Sequence, residues 1–449
     1  MARSRAFSPR ADLPPAAAPR EAIAAAAEGS APRRRIVCIV GTRPEAIKLA
    51  PVVVALRRSQ WARCRVWVSG QHGAVVDDAL AHFGLAADRR LAGPRRGASL
   101  GEATAVMLSL IEGALRRSRP DLLIVQGDTS TVLAAALAAC YAQVPLVHVE
   151  AGLRTGRLDR PFPEEAHRRL VAPLAALHLA PTADAARHLA REGIEPGRIV
   201  VTGSPALDAV RLSLAAAEPL ALAVPPHERL LLVTAHRREH WGRPLRNICA
   251  AIARLVEHQR DLAVLWPLHP NPAVARTVHA QLGRTPRVHL TSPLPYGQLV
   301  AALVRAHLVL TDSGGLQEEA PFLGKPVLIL REETERQATV EAGAGLVVGT
   351  DSDEIVAATR RLLADPDLYA QMSLALSPFG DGHAAERIVA AVARLCATSG
   401  LGATSRRRAV CGPSPKPPRR LVASGVEHYK PSPSRGTGSA SADVVEPSG

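Results

Sequence analysis

Residues 35–48 read RIVCIVGTRPEAIK. Ile36 to Val40 form an unbroken apolar run, short enough for a strand buried on both faces. Gly41-Thr42 breaks the run, and Pro44 suits the first turn of a helix, where its missing N–H costs nothing. The stretch therefore predicts a strand that turns directly into a helix, the opening unit of a parallel sheet covered by helices. Arg43 falls beside the free N–H groups of that helix start, a favourable place for an anion. Taken alone, an ordinary strand-to-helix turn with a surface arginine explains it equally well.

The unit recurs along the chain. Short β-branched runs at 35–40, 65–68, 122–125, 146–149, 177–179 and 199–201 alternate with helical stretches. After Ser204 the alternation restarts, with runs at 230–233, 263–266, 288–290, 308–310, 327–330 and 345–348. Two series predict an α/β protein of two Rossmann-like, doubly wound domains, 35–204 and 205–377, with the boundary at 205–225. Residues 1–34 and 397–449, rich in Pro, Ala, Ser and Arg, read as a disordered extension and a disordered basic tail.

Charge and composition narrow the function. The formal net charge is +14. Residues 1–35 hold seven Arg against three acids, and residues 405–449 eight Lys or Arg against three acids, so the ends carry most of the excess. The modestly basic body suits anionic small molecules. With aromatics at 3 %, little is left for stacking on bases, so no nucleic-acid partner is expected. No apolar run reaches the ~18 residues of a membrane span. The six cysteines form no CxxC pair and read as thiols in a reducing compartment, so a cytoplasmic protein is expected.

Polar residues gather immediately after strand ends. Gln71-His72, Gly127-Asp128-Thr129 and Glu150 do so in the first series. His236-Arg237-Arg238-Glu239, His269 and Asp312-Ser313-Gly314-Gly315-Leu316-Gln317-Glu318-Glu319 do so in the second. Ligands of open α/β sheets lie outside the carboxyl ends of the strands, so a cleft between the two edges is the expected site. Gly314-Gly315 would let backbone N–H groups approach a phosphate, and a Glu one turn later could accept from a ribose diol. An acidic first helical turn also has a purely structural use, because it complements the helix dipole. Asp128 could cap a helix starting at Thr129, and Glu164 and Glu165 could serve a helix opened by Pro163. Glu150, between an apolar strand and Ala151-Gly152, has the weakest structural explanation. Scattered histidines without a shared short spacing argue against a metal site. Neither GxGxxG nor a P-loop follows any strand.

Read together, these runs resemble the non-hydrolysing UDP-N-acetylglucosamine 2-epimerases of bacteria. The resemblance rests on Gly41 to Lys48, Gln126-Gly127-Asp128-Thr129, His148 to Thr155, Pro163 to Arg168, His236 to Glu239, Asp312 to Pro321, Thr334-Glu335-Arg336 and Phe379-Gly380-Asp381-Gly382. It spans roughly residues 35–395. It implies a glycosyltransferase-B-like fold with the active site between the domains, and a final helix, 378–396, that crosses back to the first. It implies reversible conversion of UDP-N-acetylglucosamine to UDP-N-acetylmannosamine through UDP elimination, a 2-acetamidoglucal and re-addition, with no metal or nicotinamide cofactor, in the supply of surface polysaccharide. Asp128, Glu150 and Glu164 are then the acid/base group, with His236 beside them. Arg43, Lys48, Arg168, His269 and Arg336 are expected near diphosphate and sugar, and Ser313, Gly314, Gly315 and Glu319 around UDP. UDP-N-acetylglucosamine and UDP are the expected partners, and a homodimer the expected assembly.

The chain also departs from the pattern. His167 stands where Asn is usual. Gln71-His72, which in some members helps bind an activating second substrate molecule, is followed by Gly73, which supplies no Arg contact. Alternatives are an epimerase for a modified UDP-sugar, a hydrolysing epimerase, a UDP-sugar glycosyltransferase or a non-catalytic UDP-sugar-binding protein. The clustered carboxylates favour the epimerase.

Overall fold

The structure, a computed structural model, describes residues 33–398 except 96, 217–219, 221–224, 226–227, 238–239 and 270. Residues 1–32 of the expected extension, nearly all of the tail, and Arg238 and Glu239 of the His236 run lie outside the described residues, whereas Arg34, expected in the extension, begins the first strand.

Two parallel sheets form the frame. The first contains β1 (Arg34–Val40), β2 (Ala62–Val68), β3 (Arg89–Arg90), β4 (Leu122–Gln126), β5 (Leu146–Val149), β6 (Leu177–Ala180) and β7 (Ile199–Val201), in the order 3-2-1-4-5-6-7. The second contains β8 (Arg229–Thr234), β9 (Leu262–Pro267), β10 (Val288–Thr291), β11 (Ala306–Thr311), β12 (Val327–Ile329) and β13 (Gly345–Val347), in the order 10-9-8-11-12-13. Each order reverses beside the first strand of its series, and that reversal opens the crevice where doubly wound sheets bind ligands.

The side-chain period of two explains why both faces are covered. Ile36, Cys38 and Val40 of β1 enter one core, whereas Val37 and Ile39 enter another across the sheet. In the second sheet Leu231 and Val233 face one layer, and Leu230 and Leu232 the other. β3 has no counterpart in the sequence reading. It is two arginines long, pairs with Trp67 and Val68, and lays Arg89 over the Trp67 ring at 5.2 Å.

The chain crosses between lobes at two adjoining points. At the first, the Ser204 N–H donates to the Phe379 carbonyl at 2.8 Å, which ties it to the second. Gly203 makes this approach feasible, since a Cβ there would lie 2.9 Å from the Phe379 oxygen. The helix Pro205–Ala216 contributes Ala209 and Val210 to the first lobe's core. After the return crossing, Asp208 accepts from the N–H groups of Ala384 and Ala385, capping the helix Ala384–Thr398. Ile388, Val392 and Cys396 of that helix join the same core. It begins later and ends later than the 378–396 expected.

Candidate functional site

Four groups of side chains meet at the facing strand ends. The central one surrounds Glu150, the residue after β5. Its φ is +62°, a left-handed conformation that turns the side chain away from the sheet. Oε2 accepts from Lys48 Nζ at 2.5 Å and Gln126 Nε2 at 2.6 Å, and Oε1 accepts from Arg336 Nη2 at 2.8 Å. Lys48 comes from the first helix, Gln126 from the end of β4 and Arg336 from the second lobe. Burial opposes ionisation of Glu150, but the Lys48 and Arg336 charges outweigh it and hold the carboxyl below its usual range. Lys48 is likewise desolvated, yet Glu150 and Glu318 hold its pKa up.

Arg336 is itself buried, and its Nε and Nη1 donate to Glu318 at 2.9 Å and Glu335 at 2.5 Å. Burial disfavours its charge; Glu318, Glu335 and Glu150 together overrule that and lock it protonated. Gly314 makes room for it, because a Cβ there would lie 2.7 Å from Arg336 Nη1. Glu150 and the Gly314-Gly315 turn are thus two sides of one guanidinium.

The second group contains Asp128, whose Oδ2 accepts from Arg168 Nη1 at 2.6 Å. Thr129, not Asp128, caps the next helix, Ser130–Tyr141, accepting from the Val132 N–H, so the purely structural use open to Asp128 is not taken up. Asp128 is thereby free to face the cleft. Arg168 is fixed from behind by buried Glu165. Glu164, one residue earlier, has no cationic side-chain bond among the described residues, and burial followed by repulsion from Asp128 raises its pKa. His167, where Asn was expected, bonds through Nδ1 with the Asp128 carbonyl at 2.8 Å.

The third group is organised by Asp312, fully buried after β11. It accepts from the N–H groups of His236 and Arg237 at 2.8 and 2.9 Å, and its oxygens lie 3.1 Å from His236 Nδ1 and 3.0 Å from His240 Nδ1. Burial alone would raise its pKa; the two histidines and the amide donors drive it far below the carboxylate range. His269 stacks on His236 with ring centroids 5.5 Å apart.

The fourth group holds Glu319, whose Oε1 lies 3.4 Å from the Tyr296 hydroxyl. Burial pushes its carboxyl up to about 7 against the opposing pull of Lys48. Arg43 reaches across the lobes to donate to the Leu294 carbonyl at 2.6 Å, and Glu319 is its nearest charge in effect. Ser313 lies at the turn, its N–H donating to Thr311 Oγ1. Gln71 accepts from Thr131 and His72 is exposed; neither bonds to the four groups.

Sequence reasoning singled out Lys48, Glu150 and Arg336 but left Gln126, Tyr296, Asp312, Glu318 and Glu335 without roles. Their signal was weak: all but Tyr296 sit inside a quoted run, with nothing in the spacing to show their partners, and Tyr296 lies outside every such run. Among the described residues no three His, Cys, Asp or Glu side chains are grouped to hold a metal ion, and no helix is long and apolar enough to cross a membrane.

Two Rossmann-like domains with their polar strand ends facing one cleft define a glycosyltransferase-B-like architecture. The UDP-N-acetylglucosamine 2-epimerase family model matches residues 54–393, and the chain belongs to that family. The Escherichia coli K12 UDP-N-acetylglucosamine 2-epimerase is 42 % identical over 371 residues, 80 % of this chain and 98 % of its own. A Neisseria meningitidis UDP-GlcNAc 2-epimerase solved with UDP-GlcNAc superposes with a TM-score of 0.77 at 37 % identity, covering 80 % of this chain and all of that one. An S. aureus protein solved with UDP gives 0.74 at 41 %, covering 79 % and 95 %.

Proposed function

We propose that the protein interconverts UDP-N-acetylglucosamine and UDP-N-acetylmannosamine at C2 without net hydrolysis. The observation carrying this reading is Glu150, a carboxylate of the first lobe held ionised by Arg336 of the second, directly beside the Gly314-Gly315 turn. The C2 proton is not acidic, so it must leave as the anomeric C–O bond breaks. The electron pair of that bond passes to the β-phosphate of UDP, C1=C2 forms, and the proton goes to a carboxylate. Re-addition reverses these steps, with protonation on the other face of C2.

Each part of the step has a matching group. Negative charge grows on the departing diphosphate, and donors already in place stabilise it better than water, which must reorganise. His236, Arg43 and the turn at Ser313 to Gly315 are assigned to that task, and Glu319 to the ribose. Positive charge grows at C1, and ionised Glu150 suits the role of its partner. Glu164, with its raised pKa, suits proton transfer, because carboxylates kept in different charge states divide acid from base work. Asp128 supports that split by repelling the charge of Glu164. Arg168 holds Asp128 in place. The five described cysteines are free thiols, which fits a reducing cytoplasm.

Incubation of the full chain with UDP-N-acetylglucosamine in deuterated water tests the reading. The expected result is the manno epimer with deuterium at C2 and no free sugar. Accumulation of free N-acetylmannosamine assigns the hydrolysing reaction instead. A folded, UDP-binding protein with no C2 exchange overturns the epimerase reading.

A further inference from the structure

We propose that Glu318 is a positioning residue of this site, which fixes Arg336 against Glu150 and ties that pair to the lobe crossing at Ser204. The inference rests on the epimerase reading and deepens it. Glu318 is completely buried one position before Glu319, yet the two diverge. Glu319 turns to Tyr296 and Arg43, whereas Glu318 turns inward to the charges around Glu150.

Its two oxygens have separate partners. Oε1 accepts from Arg336 Nε at 2.9 Å and lies 3.7 Å from Lys48 Nζ. Oε2 accepts from Ser204 Oγ at 2.6 Å. Glu150 and Glu318, one from each lobe, therefore share the same two cations. Ser204 belongs to the chain crossing, and its N–H is bonded to the return crossing at Phe379. An unbroken series of hydrogen bonds thus runs from the crossing, through Glu318 and Arg336, to Glu150.

A buried carboxylate needs a cation and further hydrogen bonds whatever its purpose, so the number of its partners decides nothing. Glu318 sets the direction of a guanidinium whose third nitrogen meets Glu150. With the Nε position fixed, the planar fork has one orientation left, and Nη2 falls on Glu150 Oε1. Through this bond the lobe crossing bears on Glu150. Rotation of one lobe that moves Ser204 from Glu318 loosens Arg336 and alters the cationic surroundings of Glu150. Those surroundings comprise Lys48 from the first helix, Arg336 from the second lobe, Arg168 from the helix Glu164–Val171 and His148 from β5.

The test is steady-state epimerisation by full-length Glu318→Gln and Ser204→Ala across pH, with UDP affinity and melting temperature measured alongside. Glu318→Gln keeps the shape and removes the charge. It is expected to lower kcat about 100-fold while KM and the UDP Kd stay within about threefold, the signature of an interaction made in the transition state. Its acidic limb of kcat should move to higher pH, because an Arg336 no longer held against Glu150 favours the ionised carboxylate less. Ser204→Ala should lower kcat about 5-fold with KM unchanged, as expected for loss of one orienting hydrogen bond. Unchanged kcat in folded Glu318→Gln overturns the proposal, and so does a fall with the pH limb unmoved and KM raised in proportion. Should Glu318→Gln fail to fold, Ser204→Ala decides, and normal kcat there overturns it. Wild-type protein that exchanges no C2 hydrogen strikes the epimerase reading itself, whereas exchanging wild type with indifferent variants strikes only Glu318.

Discussion

Glu150 and Asp312 are each a buried carboxylate just past a strand, one in each lobe. Their partners differ. Asp312 spends its oxygens on local groups, two backbone N–H donors and two histidines from one stretch of chain. Glu150 is held by long side chains from three elements, one of them across the gap. The first arrangement builds a rigid platform that presents His236. The second keeps a charge ionised while leaving it dependent on how the lobes meet. Turnover should therefore be most sensitive at Glu150, and stability most sensitive at Asp312.

Glu150→Gln offers the largest effect. It keeps the volume and removes the charge, so kcat should fall about 1000-fold, the scale of losing a preorganised electrostatic group, with UDP affinity within about threefold. Normal turnover in that variant removes Glu150 from the chemistry and erases the contrast. Asp312→Asn should cost about 2–3 kcal/mol of stability, since a buried charged acceptor of several hydrogen bonds is lost, and a smaller share of kcat. Chemical denaturation against kinetics ranks the two positions, and a variant that loses turnover as steeply as Glu150→Gln without loss of stability would reverse the assignment. The smallest effect concerns Glu319, whose carboxyl is pushed up to about 7. Below that pH it is protonated and loses one acceptor site toward a ribose diol. UDP should then bind about 5-fold more weakly at pH 6 than at pH 8, beyond any change seen in Glu319→Gln. Equal pH dependence in wild type and variant removes Glu319 from the ribose.

The parallel sheets were legible because buried strands such as 36–40 and 230–233 are short unbroken apolar runs ending in polar turns. Arg89–Arg90 was not, since its strand character comes from pairing with β2 and from Trp67 rather than from its own residues. The site was legible as a set of strand-end motifs, which brought out Glu150, while the family resemblance added Lys48 and Arg336 to the candidates. Their mutual contact was not, because Glu150 and Arg336 are 186 positions apart and no periodicity links them. Glu318 stayed hidden for a different reason. An acidic first turn has a sufficient explanation in the helix dipole, so neither its burial nor its bond to Ser204 leaves a trace in the sequence.

Arg34, at the amino end of β1, donates through Nη2 to the carbonyl of Cys396, in the last helix described. Those two points are neighbours, and β1 runs seven residues from there to the edge that carries Gly41 and Thr42, about 23 Å at ~3.3 Å per residue. A linker attached at the exposed Arg33 beside them would grip the enzyme from its blunt side. Immobilised that way on a bead or sensor chip, every copy would present its mouth to the flowing solution.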